Sequence, residues 1–114
     1  MEKKTILIIE DDILLQETFK THISKKVNLL QAYTCKEAQE IFDKNQEGID
    51  IIAFDWNIKA EWTTLDLIKW IKEKFSGVMI AMSNDDYLRI KQMEAWCNLD
   101  LDDKAELLNI ISIL

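Results

Sequence analysis

The feature that most narrows the fold is a short apolar run that stops abruptly on acids, and does so twice. Residues 5–9 read Thr-Ile-Leu-Ile-Ile and give way at once to Glu10, Asp11 and Asp12, and residues 50–54 give way to Asp55. A β-branched and aliphatic run without polar alternation is what a strand buried on both faces requires, since neither face can then carry a polar side chain. Such strands belong to parallel sheets covered by helices on both sides.

The segments between these runs supply the helices. Residues 12–25 carry Leu15, Phe19 and Ile23 four apart, which predicts an amphipathic helix with Gln16, Glu17 and Lys20 facing water. Residues 27–33 read as a second strand, and Thr34 with Glu37 forms a capping box that opens a helix through Ala38, Ile41 and Phe42. Gly48 frees the chain to turn into the third strand. A third helix follows with Leu65, Leu67, Ile68, Ile71 and Phe75, closed by Ser76 and Gly77. Residues 78–82 form a fourth strand, and Ser83, Asn84 and Asp85 can cap a fourth helix over Leu88, Ile90 and Met93. A short fifth strand over 98–101 and a last helix carrying Leu107, Leu108, Ile111 and Leu114, capped by Asp103 with Glu106, complete the series. Strict alternation of this kind predicts right-handed crossovers and a parallel sheet, so the fold class is α/β and one domain covers residues 1–114.

Bulk properties exclude several functions. A chain of 114 residues holds one core, and a formal net charge of -7 argues against a nucleic-acid backbone as direct partner, because phosphate neutralisation needs clustered Lys and Arg. The apolar run after Lys4 is too short for a signal peptide or a membrane span, so a cytoplasmic protein with no membrane partner is expected. Cys35 and Cys97 have no metal-ligand spacing and read as reduced, half-buried thiols. His22 lies beside the apolar stripe of the first helix and reads as an edge residue. Four tryptophans, Trp56, Trp62, Trp70 and Trp96, are too many for all to be fully buried, and one or two are expected to mark a partner surface.

In open parallel sheets ligands bind beyond the carboxyl ends of the strands, where the strand order switches. Glu10, Asp11 and Asp12 follow the first strand, Asp55 the third and Ser83 the fourth, so three distant segments bring oxygen ligands to one rim. That donor set suits a hard cation such as Mg²⁺. Acids after strands also serve as helix N-caps, and Asp12, directly before the first helix, fits that bland role. Asp55 does not, because residues 56–61 form a long loop before the next helix.

These residues resemble the response-regulator receiver family over nearly the whole chain. The first run with its acid pair, Thr5 to Asp12, is similar to that family's first strand. Ile51 to Asn57 is similar to the third strand with its phosphoacceptor, and Val78 to Ser83 to the fourth strand with its phosphoryl-binding hydroxyl. The resemblance implies a flavodoxin-like, doubly wound sheet of five parallel strands in the order 2-1-3-4-5. It implies Mg²⁺ held by Asp11, Asp55, the Asn57 carbonyl and, through water, Glu10. Asp55 would be the phosphoacceptor and Ser83 a phosphoryl-binding residue. The implied partners are a histidine kinase or phosphotransfer protein and an output domain or protein, with room for a homodimer, and the chain would be a phosphoacceptor rather than an enzyme.

The loop Ile58 to Thr64 lacks the family's proline and glycine and is one residue longer, and two further departures fall at the fifth strand. The family's Lys-Pro at the end of the fifth strand is replaced by Leu101-Asp102-Asp103-Lys104, leaving Lys104 as the remaining cation for a phosphoryl-pairing role and Asp100 or Asp102 in its usual place. No aromatic residue follows Cys97, although the family carries a switch aromatic in that strand. A pseudo-receiver that only binds partners is therefore the second reading. A third notes the fainter likeness of Glu10 and Asp55-x-Asn57 to the Toprim nucleases and haloacid-dehalogenase-type phosphatases, both of which place a second Asp at the Asn57 position. Because clustered carboxylates repel, Asp55→Ala is expected to stabilise the metal-free protein at neutral pH in urea denaturation, and a clear loss of stability would instead make Asp55 a structural residue.

Overall fold

The computed structural model describes residues 3–55, 64–82, 99–101 and 106–112. Their elements run β1 (Thr5–Ile9), α1 (Ile13–Ile23), β2 (Asn28–Ala32), α2 (Cys35–Asn45), β3 (Ile51–Asp55), α3 (Thr64–Lys72), β4 (Val78–Met82), β5 (Leu99–Leu101) and α4 (Glu106–Ser112). All four pairings are parallel, and the sheet order is β2-β1-β3-β4-β5, the five-stranded doubly wound arrangement expected.

The pleat decides which helix covers which face. Along β1, Leu7 and Ile9 point into a cluster with Ala32, Ala38, Phe42, Ile52, Phe54, Leu67, Ile68 and Ile71, which is the side of α2 and α3. Ile6 and Ile8 point into a second cluster with Phe19, Ile23, Ala53, Ile80, Met82, Leu107 and Ile111, the side of α1 and α4. Successive residues on a strand face opposite ways, so a run that is apolar at every position must be covered twice. Ile6 to Ile9 are all fully buried. At about 1.5–3 kcal/mol per buried aliphatic side chain, these residues contribute on the order of 10 kcal/mol to the driving force.

Local chemistry sets the helix starts. Asp12 caps α1 by accepting from the Leu15 N–H at 3.1 Å. Thr34 caps α2, accepting from the Glu37 N–H at 3.1 Å, while the Glu37 carboxylate reaches back to the Tyr33 N–H at 3.3 Å. The capping box is therefore present, with its return bond one residue earlier than the usual N-cap amide. Gly48 closes the turn after α2 through its N–H to the Asn45 carbonyl at 2.8 Å.

Some expectations shift. Helix α3 ends at Lys72, and Phe75 lies beyond it yet stays buried, edge-on to Phe42 at 6.0 Å between ring centroids. Cys35 is fully rather than half buried, because the first turn of α2 packs against the sheet. Trp70 is partly buried, edge-on to Phe42 with the Lys74 ammonium 4.0 Å over its ring. His22 is exposed, as its edge position predicts. The predicted helix over Leu88, Ile90 and Met93 lies outside the described residues, as do Trp56, Trp62, Trp96, Cys97, Asp103 and Leu114, and the side chains of Leu65 and Leu108. No helix among the described residues is long and apolar enough to cross a membrane.

Between α3 and β4 the backbone passes close to the start of β3. A Cβ placed on Gly77 would press into the Phe75 ring and lie 2.6 Å from the Asp50 carbonyl oxygen, which already accepts the Val78 N–H at 3.2 Å. Gly77→Ala is expected to cost about 1–3 kcal/mol by forcing these groups apart. Urea denaturation checks it, and an unchanged midpoint would mean the turn relaxes freely.

Candidate functional site at the carboxyl edge of the sheet

The chain leaves β1 toward β2 on one side and returns as β3 on the other, so the strand order switches between β1 and β3. The crevice at such a switch lies beyond the carboxyl ends of those two strands. The acids stand there. Ile9 of β1 is level with Phe54 of β3, so the next residue of each chain, Glu10 and Asp55, reaches the edge at the same height. Asp55 is also level with Met82, the last residue of β4, and Met82 with Leu101, the last of β5.

Three consecutive acids meet three environments here. Glu10 is fully buried: its N–H donates to the Ala32 carbonyl at 3.0 Å, and its Oε2 accepts the Asp12 N–H at 3.1 Å. Asp11 is half-buried, and among the described residues its carboxylate takes no hydrogen bond. Asp12 is exposed and engaged as the helix cap. The bland reading therefore holds for Asp12 and not for Glu10 or Asp11.

Hard oxygen donors on two adjacent strand ends fit a small divalent cation, which prefers carboxylates and water. Among the described residues the thiol and imidazole donors are elsewhere, Cys35 in the core and His22 on the exposed side of α1. Among the described residues no three His, Cys, Asp or Glu side chains form a metal-binding group, and the side chain of Asp55 is not one of those described. Asn57, Ser83 and Lys104, the other predicted site residues, lie outside the described residues, as does Asp102.

One residue of the rim was misread from the sequence. Gln16, expected to face water, is fully buried. Its Nε2 points at the carbonyl oxygens of Ile8 (3.1 Å), Glu10 (3.1 Å) and Ala32 (3.0 Å), where β1 and β2 end. Gln31 of β2 donates to the Gln16 side-chain oxygen at 2.8 Å. The error has a physical cause: the first turn of α1 crosses over the strand ends, so its inward face meets carbonyl oxygens before it meets the apolar sheet. The signal available in sequence was weak, a lone amide one residue from the stripe position Leu15.

No family model and no curated protein matches the chain. Solved structures do. A two-component response regulator from Clostridium difficile is 22% identical, with a TM-score of 0.82 over 97% of this chain and 91% of that one. The receiver domain of a Saccharomyces cerevisiae response regulator, co-crystallised with a histidine phosphotransfer signalling protein, is 21% identical with a TM-score of 0.78 over 97% of this chain and 85% of that one. A Burkholderia pseudomallei response regulator with a phosphorylated aspartic acid and a calcium ion is 16% identical with a TM-score of 0.80 over 96% and 65%. The chain thus has the fold of response-regulator receiver domains.

Asp12→Ala removes the acceptor for the Leu15 N–H and is expected to cost about 1 kcal/mol of stability. Asp12→Asn, which keeps a capping oxygen, should restore most of it in the same thermal melts. Equal losses in both variants would assign Asp12 a charge-dependent role at the rim.

Proposed function

We propose that this chain is a receiver domain of two-component signalling that accepts a phosphoryl group on Asp55 with the help of Mg²⁺. The observation that carries this reading is the common height of Glu10 and Asp55 on adjacent strands at the switch point of the sheet. Asp11 and Asp55 would hold the ion with the Asn57 carbonyl, and Glu10 would act through metal-bound water. The cation offsets the repulsion between an attacking carboxylate and an anionic phosphoryl group. An oxygen of Asp55 forms a bond to phosphorus as the bond to the donor breaks, a P–N bond in a phosphohistidine or a P–O bond in acetyl phosphate, which releases acetate. Ser83 would hydrogen-bond the transferred group.

A histidine kinase or phosphotransfer protein is the protein partner that fits this chemistry. Ile13 and Leu14 support it: they are 64% and 76% exposed in the first turn of α1, immediately after the acids, and give an incoming donor apolar surface beside the rim. An output domain or protein would read the modified state. We place the domain in the cytoplasm and take it as a phosphoacceptor rather than an enzyme acting on other molecules.

The sequence beyond β5 favours a slow acceptor. Leu101, level with Met82 and Asp55, is followed by Asp102 and Asp103, and Lys104 comes three residues later. A lysine ammonium on a phosphoryl oxygen contributes about 1.5–3 kcal/mol as a charge-assisted hydrogen bond. Without it, transfer from a small donor should be slowed roughly 10- to 100-fold, and a domain so weakened would approach a pseudo-receiver that serves as a binding module.

Incubation with acetyl phosphate and Mg²⁺, followed by intact-mass measurement, tests the reading. A slow gain of one phosphoryl group is expected, absent in Asp55→Asn and without Mg²⁺, and faster in Asp102→Lys. Titration with Mg²⁺ should change the emission of Trp56, which adjoins Asp55 in sequence. An unmodified protein that binds no Mg²⁺ at millimolar concentration would overturn the proposal. Rapid phosphorylation lost in Lys104→Ala would show instead that Lys104 serves the site.

A further inference from the structure

A fully buried carboxamide is costly unless its donors and acceptor are met, at about 1–3 kcal/mol for each group left unpaired. Gln16 meets all of them, and in an unusual direction. Its Nε2 carries two hydrogens and faces three carbonyl oxygens, those of Ile8, Glu10 and Ala32, at 3.0–3.1 Å, so one hydrogen is shared. Its Oε1 accepts from Gln31 Nε2 at 2.8 Å, which fixes which end of the amide faces the carbonyls, since the flipped amide would set oxygen against oxygen. Gln31 Nε2 also lies close to the Gln16 backbone carbonyl, at 2.6 Å, binding the amide to the turn of helix that carries it.

The three carbonyls are not equivalent. Those of Ile8 and Ala32 belong to the β1–β2 ladder, whose last pair is Ile9 with Ala32. The carbonyl of Glu10 lies one residue past that pair, in the first peptide of the acid rim. The Ala32 carbonyl already receives the Glu10 N–H at 3.0 Å, so Gln16 and Glu10 converge on one acceptor. Glu10 is thereby held at both ends of its backbone, by β2 at its N–H and by α1 at its carbonyl. Its side chain in turn holds the Asp12 N–H, so Asp11 is bracketed by two fixed residues.

We propose that Gln16, oriented by Gln31, is a positioning residue for the cation site: it locks the peptide that follows Glu10 and so sets where Glu10 and Asp11 present their carboxylates. The inference rests on the metal-binding reading given above and adds a chain of polar contacts, β2 to α1 to the rim, that runs from a partly buried residue on one strand to the acids on the next. Groups of this kind outside the ligand shell typically change metal affinity 10- to 100-fold when removed.

Gln16→Met keeps the length and helix propensity of the side chain and deletes the amide. Isothermal titration with Mg²⁺ is expected to show its Kd about tenfold weaker than the parent's. Gln31→Met should weaken Mg²⁺ binding several-fold, and should add nothing in the Gln16→Met background, because Gln31 acts through Gln16. Gln31 is only partly buried, so its variant keeps the proposal testable if Gln16→Met does not fold. Phe42→Leu, in the core on the opposite face of the sheet, supplies the comparison: it should lower the melting temperature and leave the Mg²⁺ Kd unchanged. Parent-like affinity in Gln16→Met or in Gln31→Met, or an equal loss in Phe42→Leu, would overturn the positioning role while leaving the metal site intact. A parent that binds no Mg²⁺ at all would remove the functional reading and this inference together.

Discussion

Ile6, Leu7, Ile8 and Ile9 lose all contact with solvent, two into the cluster under α2 and α3 and two into the cluster under α1 and α4. That single constraint orders the rest of the molecule. A strand apolar on both faces must lie inside a sheet, with a partner on each edge, and β1 has β2 on one side and β3 on the other. Parallel partners need crossovers, and crossovers of one hand on either side of β1 put helices on opposite faces. The switch point follows, and it falls where β1 ends.

The end of β1 is also where apolar burial stops being sufficient. Four apolar residues are followed by Glu10, an acid just as deeply buried, and then by Gln16 from the helix above. These two break the rule that a core is apolar, and both are paired: Glu10 with the Ala32 carbonyl and the Asp12 amide, Gln16 with three strand-end carbonyls and with Gln31. Buried polar groups joined in this way are rigid, because moving one leaves several unpaired. The same network fixes the backbone that carries Glu10 and Asp11, the two neighbouring acids of the rim. The apolar strand supplies the foundation and the amide network supplies the precision.

The charge of the chain is consistent with such a rim. The net charge of -7 keeps anionic surfaces away. In the proposed function a cation would offset the repulsion between the acids at this rim, and the exposed pair Ile13 and Leu14 sits beside it. The same helix turn therefore carries a cap in Asp12, apolar surface in Ile13 and Leu14, and a buried amide in Gln16, one function on each side of the turn. Response-regulator structures only 14–22% identical share this backbone at TM-scores of 0.75–0.82, so the fold does not depend on one particular sequence.

The sequence by itself determined the strands, the burial of β1 and the caps of α1 and α2. Runs of aliphatic residues placed β1 at Thr5–Ile9 and β4 at Val78–Met82, and the hydrogen-bonding side chains of Asp12, Thr34 and Glu37 fixed the starts of α1 and α2. These are legible because they depend on neighbours a few residues away: a strand's two faces alternate along it, and a cap bonds within one turn. Alternation of elements then gave the parallel sheet, and the acids at the strand ends marked the candidate rim. The tertiary structure decided what distance along the chain conceals. Periodicity assigns polar residues outward, which is right for Glu17 and Lys20 and wrong for Gln16, whose partners are the carbonyls of Ile8, Glu10 and Ala32 on two other elements. Phe75 likewise falls past the end of its helix and is buried by Phe42 of another. In each case local pattern shows only the face a residue has on its own helix, and what that face meets is settled by where the chain crosses itself.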